Sequence, residues 1–506
     1  MKSGLSLIAL ALAAALPATL YAQDKPADGA ADNKAKAEKP ADYEPQVRTT
    51  RLSGTFGGQR ISYAATIGET IIKNKDGVAE VAVVTTSYVK EPRDPNRPIT
   101  FLFNGGPGSG TVWLMMGAFG PKRVAIPGTG VDDGAPPYPI VDNPDALLDV
   151  TDVVFIDPPG TGFSHLIGKA KPEDYYGVTQ DAKLVAEVIR RWLNDNGRWN
   201  SPKYLGGESY GTTRSAAVAN QLMNETYNDV ALNGIILIST VLDFAAGSDT
   251  AGNELSPVTN LPSMAATALY HGKATAPSVE AFVEEARQWA IGPYASALLK
   301  GQKLQGEERA AIRRELARFT GLSETYLESA DLRVAPSRFY KELLRDRGLT
   351  VGRLDSRYTG KDYDNAGEGP DNDPSFFGID ASYTAAINSW SRDGLGFKTD
   401  REYQSIGRIG GQWDWRIGGR DSNAYLNVAP YIGQALRENS GLRVFVGQGY
   451  YDFATPFFAA EYALSRTGIP QDRIQYQYYG AGHMMYIRDE DRHKLSADIR
   501  AFIRAR

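Results

Sequence analysis

Lys203 to Gly211 reads Lys-Tyr-Leu-Gly-Gly-Glu-Ser-Tyr-Gly. Its first four residues predict a short strand, and residues 210–226 predict a helix. Ser209 therefore lies at a strand-to-helix turn, with a glycine two positions away on either side. Glycines leave room for the backbone in such a turn, and the helix N-terminus stabilises negative charge. The stretch predicts a serine that is presented for nucleophilic attack.

Strands and helices alternate on both sides of this turn. Residues 153–156 and 234–239 are continuous apolar runs, as expected for strands that are buried on both faces. Apolar residues recur at helical spacing between Val178 and Leu193. The alternation predicts an α/β fold with a mostly parallel sheet covered by helices. Further strands are predicted at 81–88, 99–103, 442–446 and 474–478, and further helices at 424–436 and up to about 503.

The alternation stops at about residue 244 and returns at 422. Residues 244–421 contain predicted helices at 279–299, 307–319 and 336–347, followed by a stretch rich in Gly and Asp. We predict an inserted, largely helical cap here, between two parts of an α/β core at 46–243 and 422–506. Trp390, Trp413 and Trp415 are expected either to wall a substrate site or to pack within the cap.

The N-terminal region has the composition of an export signal followed by a tether. Residues 1–22 combine Lys2 with an apolar run that is too short to span a bilayer, which predicts a signal peptide; a retained anchor is the alternative. Residues 23–45 are rich in Ala, Lys, Asp, Glu and Pro and predict a disordered tether. No other stretch is long and apolar enough for a membrane span. We therefore expect an exported bacterial protein, periplasmic or extracellular.

Composition excludes several classes of function. A net charge of −5 over 506 residues offers no basic surface for nucleic acid. The absence of cysteine excludes disulfides, thiolate catalysis and cysteine-ligated metals. Histidine-dependent chemistry has four candidates, which are His165, His271, His483 and His493.

A serine nucleophile needs a base, and the base needs an acid that orients it. Asp452 follows the predicted strand 442–446, and His483 follows the strand 474–478 within Gly480-Ala481-Gly482-His483. The chain order Ser, Asp, His, with each residue after a strand, is typical of an α/β-hydrolase. We predict that Ser209 is the nucleophile, His483 the base and Asp452 its orienter. The other three histidines are expected to be surface or packing residues.

A glycine-rich loop, Asn104-Gly105-Gly106-Pro107-Gly108-Ser109-Gly110, follows the predicted strand 99–103. Backbone amides of such a loop can approach a substrate oxygen closely, and in this fold the loop supplies half of the oxyanion hole. A phosphate-binding loop is disfavoured because no Gly-Lys-Ser/Thr ending follows.

Five ordered motifs together resemble the serine carboxypeptidase family: residues 104–109, Asp157-Pro158-Pro159-Gly160-Thr161-Gly162-Phe163-Ser164, residues 207–211, the turn at Asp452 and residues 480–483. The resemblance implies a peptidase that needs no metal or organic cofactor and acts on peptides with a free C-terminus. It also implies that the amides of Gly106 and Tyr210 form the oxyanion hole. Asn104, Gly105 and Glu208 would bind the substrate's C-terminal carboxylate.

Two departures from the family pattern bear on this expectation. Ala118 stands where the family often has a second glutamate, so Glu208 lacks a carboxyl neighbour with which to share a proton. Recognition of a free C-terminus is then expected to fade as pH rises. The alternative is that Arg214 attracts the carboxylate, although Arg214 is expected to point away from the site and to pair within the core. The lack of the disulfides found in secreted eukaryotic members bears on stability only.

Other functions remain open on the sequence alone. The same triad could serve an esterase or an acyltransferase, and an inactive binding protein on this fold is a further alternative. The acidic stretch with Asp362, Asp364, Asp371 and Asp373 lacks the spacing and final glutamate of a calcium loop, so a solvated acidic loop is expected and no metal site. Side-chain preference and oligomeric state are not predicted.

Overall fold

The computed structural model describes residues 43–131, 133–224, 228–417, 425–466 and 468–505. The predicted signal peptide and residues 23–42 of the predicted tether lie outside the described residues. Within the remainder of that tether, the Tyr43 hydroxyl donates a hydrogen bond to the Glu69 carboxylate at 2.9 Å.

The strands, numbered in chain order, are β1 Val47–Phe56, β2 Gln59–Lys73, β3 Ala79–Glu91, β4 Ile99–Phe103, β5 Lys122–Val124, β6 Ile140–Asp142, β7 Asp152–Ile156, β8 His165–Leu166, β9 Lys203–Ser209, β10 Gly234–Thr240, β11 Thr350–Val351, β12 Thr359–Gly360, β13 Arg443–Gly449 and β14 Ile474–Tyr479.

One central sheet orders these strands as β1-β2-β3-β7-β4-β9-β10-β13-β14, with β8 paired to β3. From β7 to β14 every neighbouring pair is parallel. The remaining strands, β1 to β3 and β8, join this part through antiparallel pairs. The predicted, mostly parallel sheet is therefore confirmed. All carboxyl ends of its parallel strands meet at one edge, where ligands of open α/β sheets bind.

The helices are α1 Val178–Asp195, α2 Tyr210–Met223, α3 Phe244–Gly247, α4 Leu255–Tyr270, α5 Val279–Trp289, α6 Ala295–Lys300, α7 Gly306–Thr320, α8 Glu324–Ser329, α9 Pro336–Glu342, α10 Pro374–Phe377, α11 Asp380–Ser389, α12 Ala429–Glu438, α13 Phe457–Leu464 and α14 Asp489–Arg504. None of the helices in the described part of the chain is both long and apolar enough to cross a membrane.

The sheet is buried on both faces. All residues of β10 are buried; Ile236 and Ile238 point to one apolar cluster, and Ile235 and Leu237 to another. The first cluster includes α14, and the second includes α1, α2 and α12. Side chains alternate across a strand, so a continuous apolar run is what a sheet covered on both sides requires.

The segment between β10 and α12 has an apolar cluster of its own. Residues of α4 to α9 form it, with Phe282, Phe319 and Phe339 among its buried members. Phe453 belongs to the same cluster and contacts the Phe339 ring at a centroid distance of 5.5 Å. The helical segment therefore packs directly against the chain next to Asp452.

Several predicted boundaries differ from the observed ones. The predicted helix 279–299 is divided into α5 and α6, with a π-helical turn at Ala290–Tyr294 that contains Pro293; proline lacks the amide that a regular helix needs. The predicted helix 424–436 begins later, at Ala429, whose amide is capped by the Asn427 side chain at 3.0 Å. The β1–β2 hairpin is absent from the predicted elements; its first strand, β1, is polar and largely exposed and so gives no apolar pattern.

Candidate active site

Ser209 ends β9 and directly precedes α2, as the sequence predicts. Its backbone has a φ of 62°, which a residue other than glycine rarely adopts. A Cβ on Gly207 would lie 2.0 Å from the Gly211 carbonyl oxygen, so only glycine fits before the serine. The turn therefore holds Ser209 at the carboxyl edge of the sheet, where it lines two cavities.

His483 and Asp452 form a buried pair next to this turn. Asp452 follows β13, His483 follows β14, and the His483 Nδ1 donates to the Asp452 Oδ2 at 2.8 Å. Nδ1 carries the proton because a carboxylate only accepts, and the unprotonated Nε2 is left to act as a base. Burial lowers the pKa of His483, but the charge and hydrogen bond of Asp452 outweigh it and raise that pKa above its ordinary value.

The Asp452 carboxylate is fixed by the turn that follows it. Its Oδ1 accepts the amides of Ala454 and Thr455 at 2.8 and 3.0 Å. Its Oδ2 accepts the Thr455 hydroxyl at 2.7 Å in addition to the histidine. Thr455 is not among the predicted site residues, although an aspartate that binds backbone amides two and three residues later is a recognisable turn pattern.

The loop after β4 contacts the serine turn closely. A Cβ on Gly105 would lie 2.5 Å from the Tyr210 nitrogen and 2.8 Å from the Ser209 Cβ. Tyr210 is the first residue of α2, so its amide has no partner within the helix. Gly106 lines both cavities together with Ser209. The predicted oxyanion residues, Gly106 and Tyr210, are thus brought together beside Ser209, the predicted nucleophile.

Asp157 holds this loop from the end of β7. Its Oδ1 accepts the amide and the hydroxyl of Thr111 at 2.7 and 2.8 Å, and the Tyr403 hydroxyl at 3.1 Å. The motif that begins at Asp157 therefore has a supporting role: it fixes the end of the glycine-rich loop.

Glu208 is buried next to Ser209 and has an unusual pKa. Its Oε1 accepts the Asn104 side-chain amide at 3.0 Å, and both residues line the second of the two cavities with Gly105. Burial raises the pKa of Glu208 to about 7, and the positive charge of His483 offsets only part of this increase. Its Oε2 has no hydrogen-bond partner of normal geometry among the described residues, and neither has the hydroxyl of Tyr486. That hydroxyl still lies near enough to lower the pKa of Glu208 somewhat.

Arg214 does not face the site. It is 1% exposed, and its Nε donates to the Asp181 carboxylate at 2.6 Å while its NH1 donates to the Asn104 carbonyl at 2.6 Å. A cation committed to a buried carboxylate is not available to a substrate. The alternative that Arg214 attracts the substrate carboxylate is therefore wrong.

Two cavities meet at Ser209. The first, of about 580 Å³, is lined by Tyr210, Phe244, Tyr425 and Pro456 among others. The second, of about 410 Å³, is lined by Asn104, Trp113, Glu208, Phe376 and His483 among others. Ser209, Gly106, Ala454 and Arg353 line both cavities. Arg353 was missed in the sequence analysis, since no local pattern distinguishes it from the other arginines of the helical segment.

The three tryptophans lie behind the site. Trp413 and Trp415 contact the Tyr210 ring edge-to-face, with centroid distances of 5.5 and 5.8 Å, and neither is among the residues that line the two cavities. Trp390 donates to the Tyr88 hydroxyl at 2.9 Å in the core. Trp390 and Trp413 belong to apolar clusters that include residues of the α/β core and not to the cluster of the helical segment, so the expected packing within the cap is wrong for them. Trp113, Phe376 and Phe377 line the second cavity.

The remaining candidates lie elsewhere. His165 bonds the Phe163 carbonyl, His271 the Ser356 carbonyl and His493 the Asp145 carboxylate. In the acidic stretch, Asp362 pairs with Lys341 at 2.5 Å and Asp373 caps α10. Within the described ranges, no three His, Asp or Glu side chains are grouped as metal ligands would be.

The family model of serine carboxypeptidases matches residues 87–276, which include the glycine-rich loop, the Asp157 motif and Ser209. No curated protein sequence matches the chain.

Similar solved structures include Cfl2 from Burkholderia cenocepacia, 13% identical, covering 90% of this chain and 100% of that chain with a TM-score of 0.35. An epoxide hydrolase from Aspergillus niger is 11% identical over 86% of this chain and 78% of that chain, with a TM-score of 0.34. The juvenile hormone epoxide hydrolase from the silkworm Bombyx mori is 12% identical over 86% and 77%, with a TM-score of 0.30. The resemblance to the serine carboxypeptidase family is confirmed over residues 87–276, the fold is that of an α/β-hydrolase, and the family match supports a hydrolase.

Proposed function

We propose that this protein is an exported serine carboxypeptidase that removes C-terminal residues from peptides through an acyl-enzyme. One observation carries the proposal: the buried His483–Asp452 pair, joined at 2.8 Å, opens onto the same cavity as Ser209 on its strained turn. A nucleophile, a base and an orienting acid at one sheet edge are the parts that acyl transfer needs.

In the first half-reaction the Ser209 Oγ attacks the carbonyl carbon of the last peptide bond. The His483 Nε2 takes the serine proton, and Asp452 stabilises the imidazolium that forms. The carbonyl oxygen becomes an oxyanion and accepts hydrogen bonds from the amides of Gly106 and Tyr210. When the C–N bond breaks, His483 returns the proton to the leaving amine, and the acyl group stays on Ser209.

In the second half-reaction water replaces the leaving amine. His483 takes a proton from the water, and the resulting hydroxide attacks the ester carbonyl in the same oxyanion site. The ester C–O bond breaks, Ser209 regains its proton from His483, and the shortened peptide leaves with a new C-terminal carboxylate. No redox step and no cofactor enters this balance.

The second cavity supports action at a C-terminus. Asn104, Gly105 and Glu208 line it beside His483, which protonates the leaving amine, so a leaving residue in this cavity has its carboxylate near these groups. Below a pH of about 7 the protonated Glu208 can donate a hydrogen bond to that carboxylate. We propose the first cavity as the site of the side chain on the acyl side.

The proposal is tested with a peptide, its C-terminal amide and a small activated ester as substrates, at acid pH. We expect the free peptide to be cleaved with a kcat/KM at least about tenfold above that of the amide, one charge-assisted hydrogen bond being worth that much. Turnover of the ester without preference for the free peptide would indicate an esterase or acyltransferase. No turnover of any substrate by folded protein would indicate an inactive binding protein.

A further inference from the structure

Arg353 is a cation at the meeting point of the two cavities. It follows β11 in the helical segment, and its side chain is exposed. It lines both cavities, as do Ser209 and Gly106. It is therefore the positively charged side chain that a substrate at Ser209 would meet.

The backbone at Arg353 is fixed to both catalytic loops. Its amide donates to the Asp373 Oδ1 at 3.0 Å, and its carbonyl accepts the Phe453 amide, next to Asp452, at 3.1 Å. The following carbonyl, of Leu354, accepts the His483 amide at 2.7 Å. The base of the side chain is thus held in a constant position relative to the triad.

The guanidinium of Arg353 has no protein counter-ion in the described part of the chain. No described residue forms a hydrogen bond or an ion pair with it. Arg309 and Arg333 of the same helical segment, by contrast, bind Glu328 and Glu254, both at 2.8 Å. Asp373, which also lines the second cavity, uses both carboxylate oxygens on the amides of residues 353, 354 and 375. The Arg353 side chain therefore lines the cavities without an ion-pair partner among the described residues.

The charge of Arg353 acts on His483. The positive charge of Arg353 lowers the pKa of His483, against the larger effect of Asp452. A guanidinium at this place would bind a carboxylate with two parallel hydrogen bonds, and arginine side chains in general keep their positive charge from acid to mildly alkaline pH.

We propose that Arg353 binds a carboxylate on the leaving residue of the substrate, and so supplies the recognition that Glu208 alone loses as pH rises. The inference rests on the proposed carboxypeptidase function and adds a second, permanently charged contact to it. The carboxylate is that of the C-terminus or that of an acidic side chain on the last residue, and the two sources are separable by experiment.

The two contacts respond differently to pH: the Glu208 contact weakens as pH rises, whereas the Arg353 contact does not change. The groups that act on Glu208 are His483, Tyr486, Asp452 and Asn104, and together with burial they give a pKa of about 7. Below that pH Glu208 is protonated and donates to a carboxylate; above it, Glu208 is ionised and repels one. Wild-type preference for a free C-terminus should therefore fall only in part as pH rises from 5 to 8.

The experiment compares kcat/KM for an N-acylated dipeptide with a free and an amidated C-terminus, in wild type, Arg353→Gln, Arg353→Lys and Glu208→Gln. In Arg353→Gln the free-over-amide ratio at pH 8 is expected to fall by about 10- to 100-fold, and Arg353→Lys should restore part of it. Glu208→Gln should give a ratio that no longer changes with pH. A second dipeptide pair, ending in Glu or Gln, shows whether a side-chain carboxylate is bound instead.

Arg338→Gln is the matched control, because Arg338 lies in the same segment, lines neither cavity and pairs with Glu368 at the surface. A second readout is the pH profile of ester hydrolysis. Loss of Arg353 raises the pKa of His483, so the rise in activity with pH should shift to higher pH in Arg353→Gln and not in Arg338→Gln.

The outcomes separate the two proposals. If the wild-type protein shows no preference for the free peptide over the amide, the carboxypeptidase function itself is contradicted. If the wild-type protein prefers the free peptide and Arg353→Gln keeps that preference at pH 8 for both dipeptide pairs, the role of Arg353 is wrong. The proposed carboxypeptidase function is not affected by that result.

Discussion

The sheet edge and the helical segment above it contribute to the site in different ways. At the edge, Ser209 ends one parallel strand, and Asp452 and His483 follow two others. Each of the three lies in a short motif with glycine or turn residues. From the segment, Arg353 reaches the same cavities from a stretch without any such motif. Ser209 has a rare backbone conformation, and glycine or turn residues accompany all three predicted catalytic residues, so the sequence reveals them. A residue that selects the substrate needs only position and charge.

The largest expected effect tests the sheet edge. His483→Ala should lower kcat by about 10⁴-fold or more, because without a base the serine proton has no acceptor. His493→Ala is the control, since His493 also pairs with an aspartate but is exposed. Asp452→Asn should lower kcat less than His483→Ala does, because the histidine base is still present and only its orientation is disturbed. Steady-state turnover of an activated ester measures all three, and an active His483→Ala variant would contradict the triad.

The sequence predicted the sheet edge well for a physical reason. Buried strands read as continuous apolar runs, and the turns after β9, β13 and β14 require particular small or polar residues at fixed offsets. It could not place Arg353 or Tyr486, whose positions depend on how distant segments pack. The tryptophans were ambiguous for the same reason: aromatic residues fill a core and line a pocket equally well, and here Trp413 packs behind Tyr210.

A smaller effect is expected from the loop that completes the oxyanion site. In Gly105→Ala the new Cβ would meet the Tyr210 nitrogen at 2.5 Å, so the loop must shift away from Ser209. Misplacing one oxyanion donor typically costs about 10²- to 10³-fold in kcat. Gly369→Ala is the matched control, because a Cβ there meets no atom within 4 Å. If kcat in Gly105→Ala stayed within twofold of wild type, the loop would not form part of the oxyanion site.

The smallest effect is expected from a substitution in the helical segment. Trp415 contacts Tyr210 and Phe244, two residues that wall the first cavity, at 5.8 and 5.4 Å. Trp415→Leu should change the preference for the acyl-side side chain by about two- to tenfold, the worth of an aromatic pair, and change hydrolysis of a small ester less. Trp199→Leu is the control, since Trp199 is 41% exposed and Trp415 is 40% exposed. Relative kcat/KM over a series of peptides measures the preference, and identical series for both variants would contradict this role.

The most direct test of the account is the site of covalent modification by a fluorophosphonate. The reagent needs a serine that is activated by a base beside an oxyanion site, which is the arrangement proposed for Ser209, His483, Gly106 and Tyr210. Peptide mass spectrometry of the inactivated protein should find one adduct per chain, on Ser209, formed far more slowly in His483→Ala and absent in Ser209→Ala. An adduct on another residue, or full activity after modification of Ser209, would contradict the central claim.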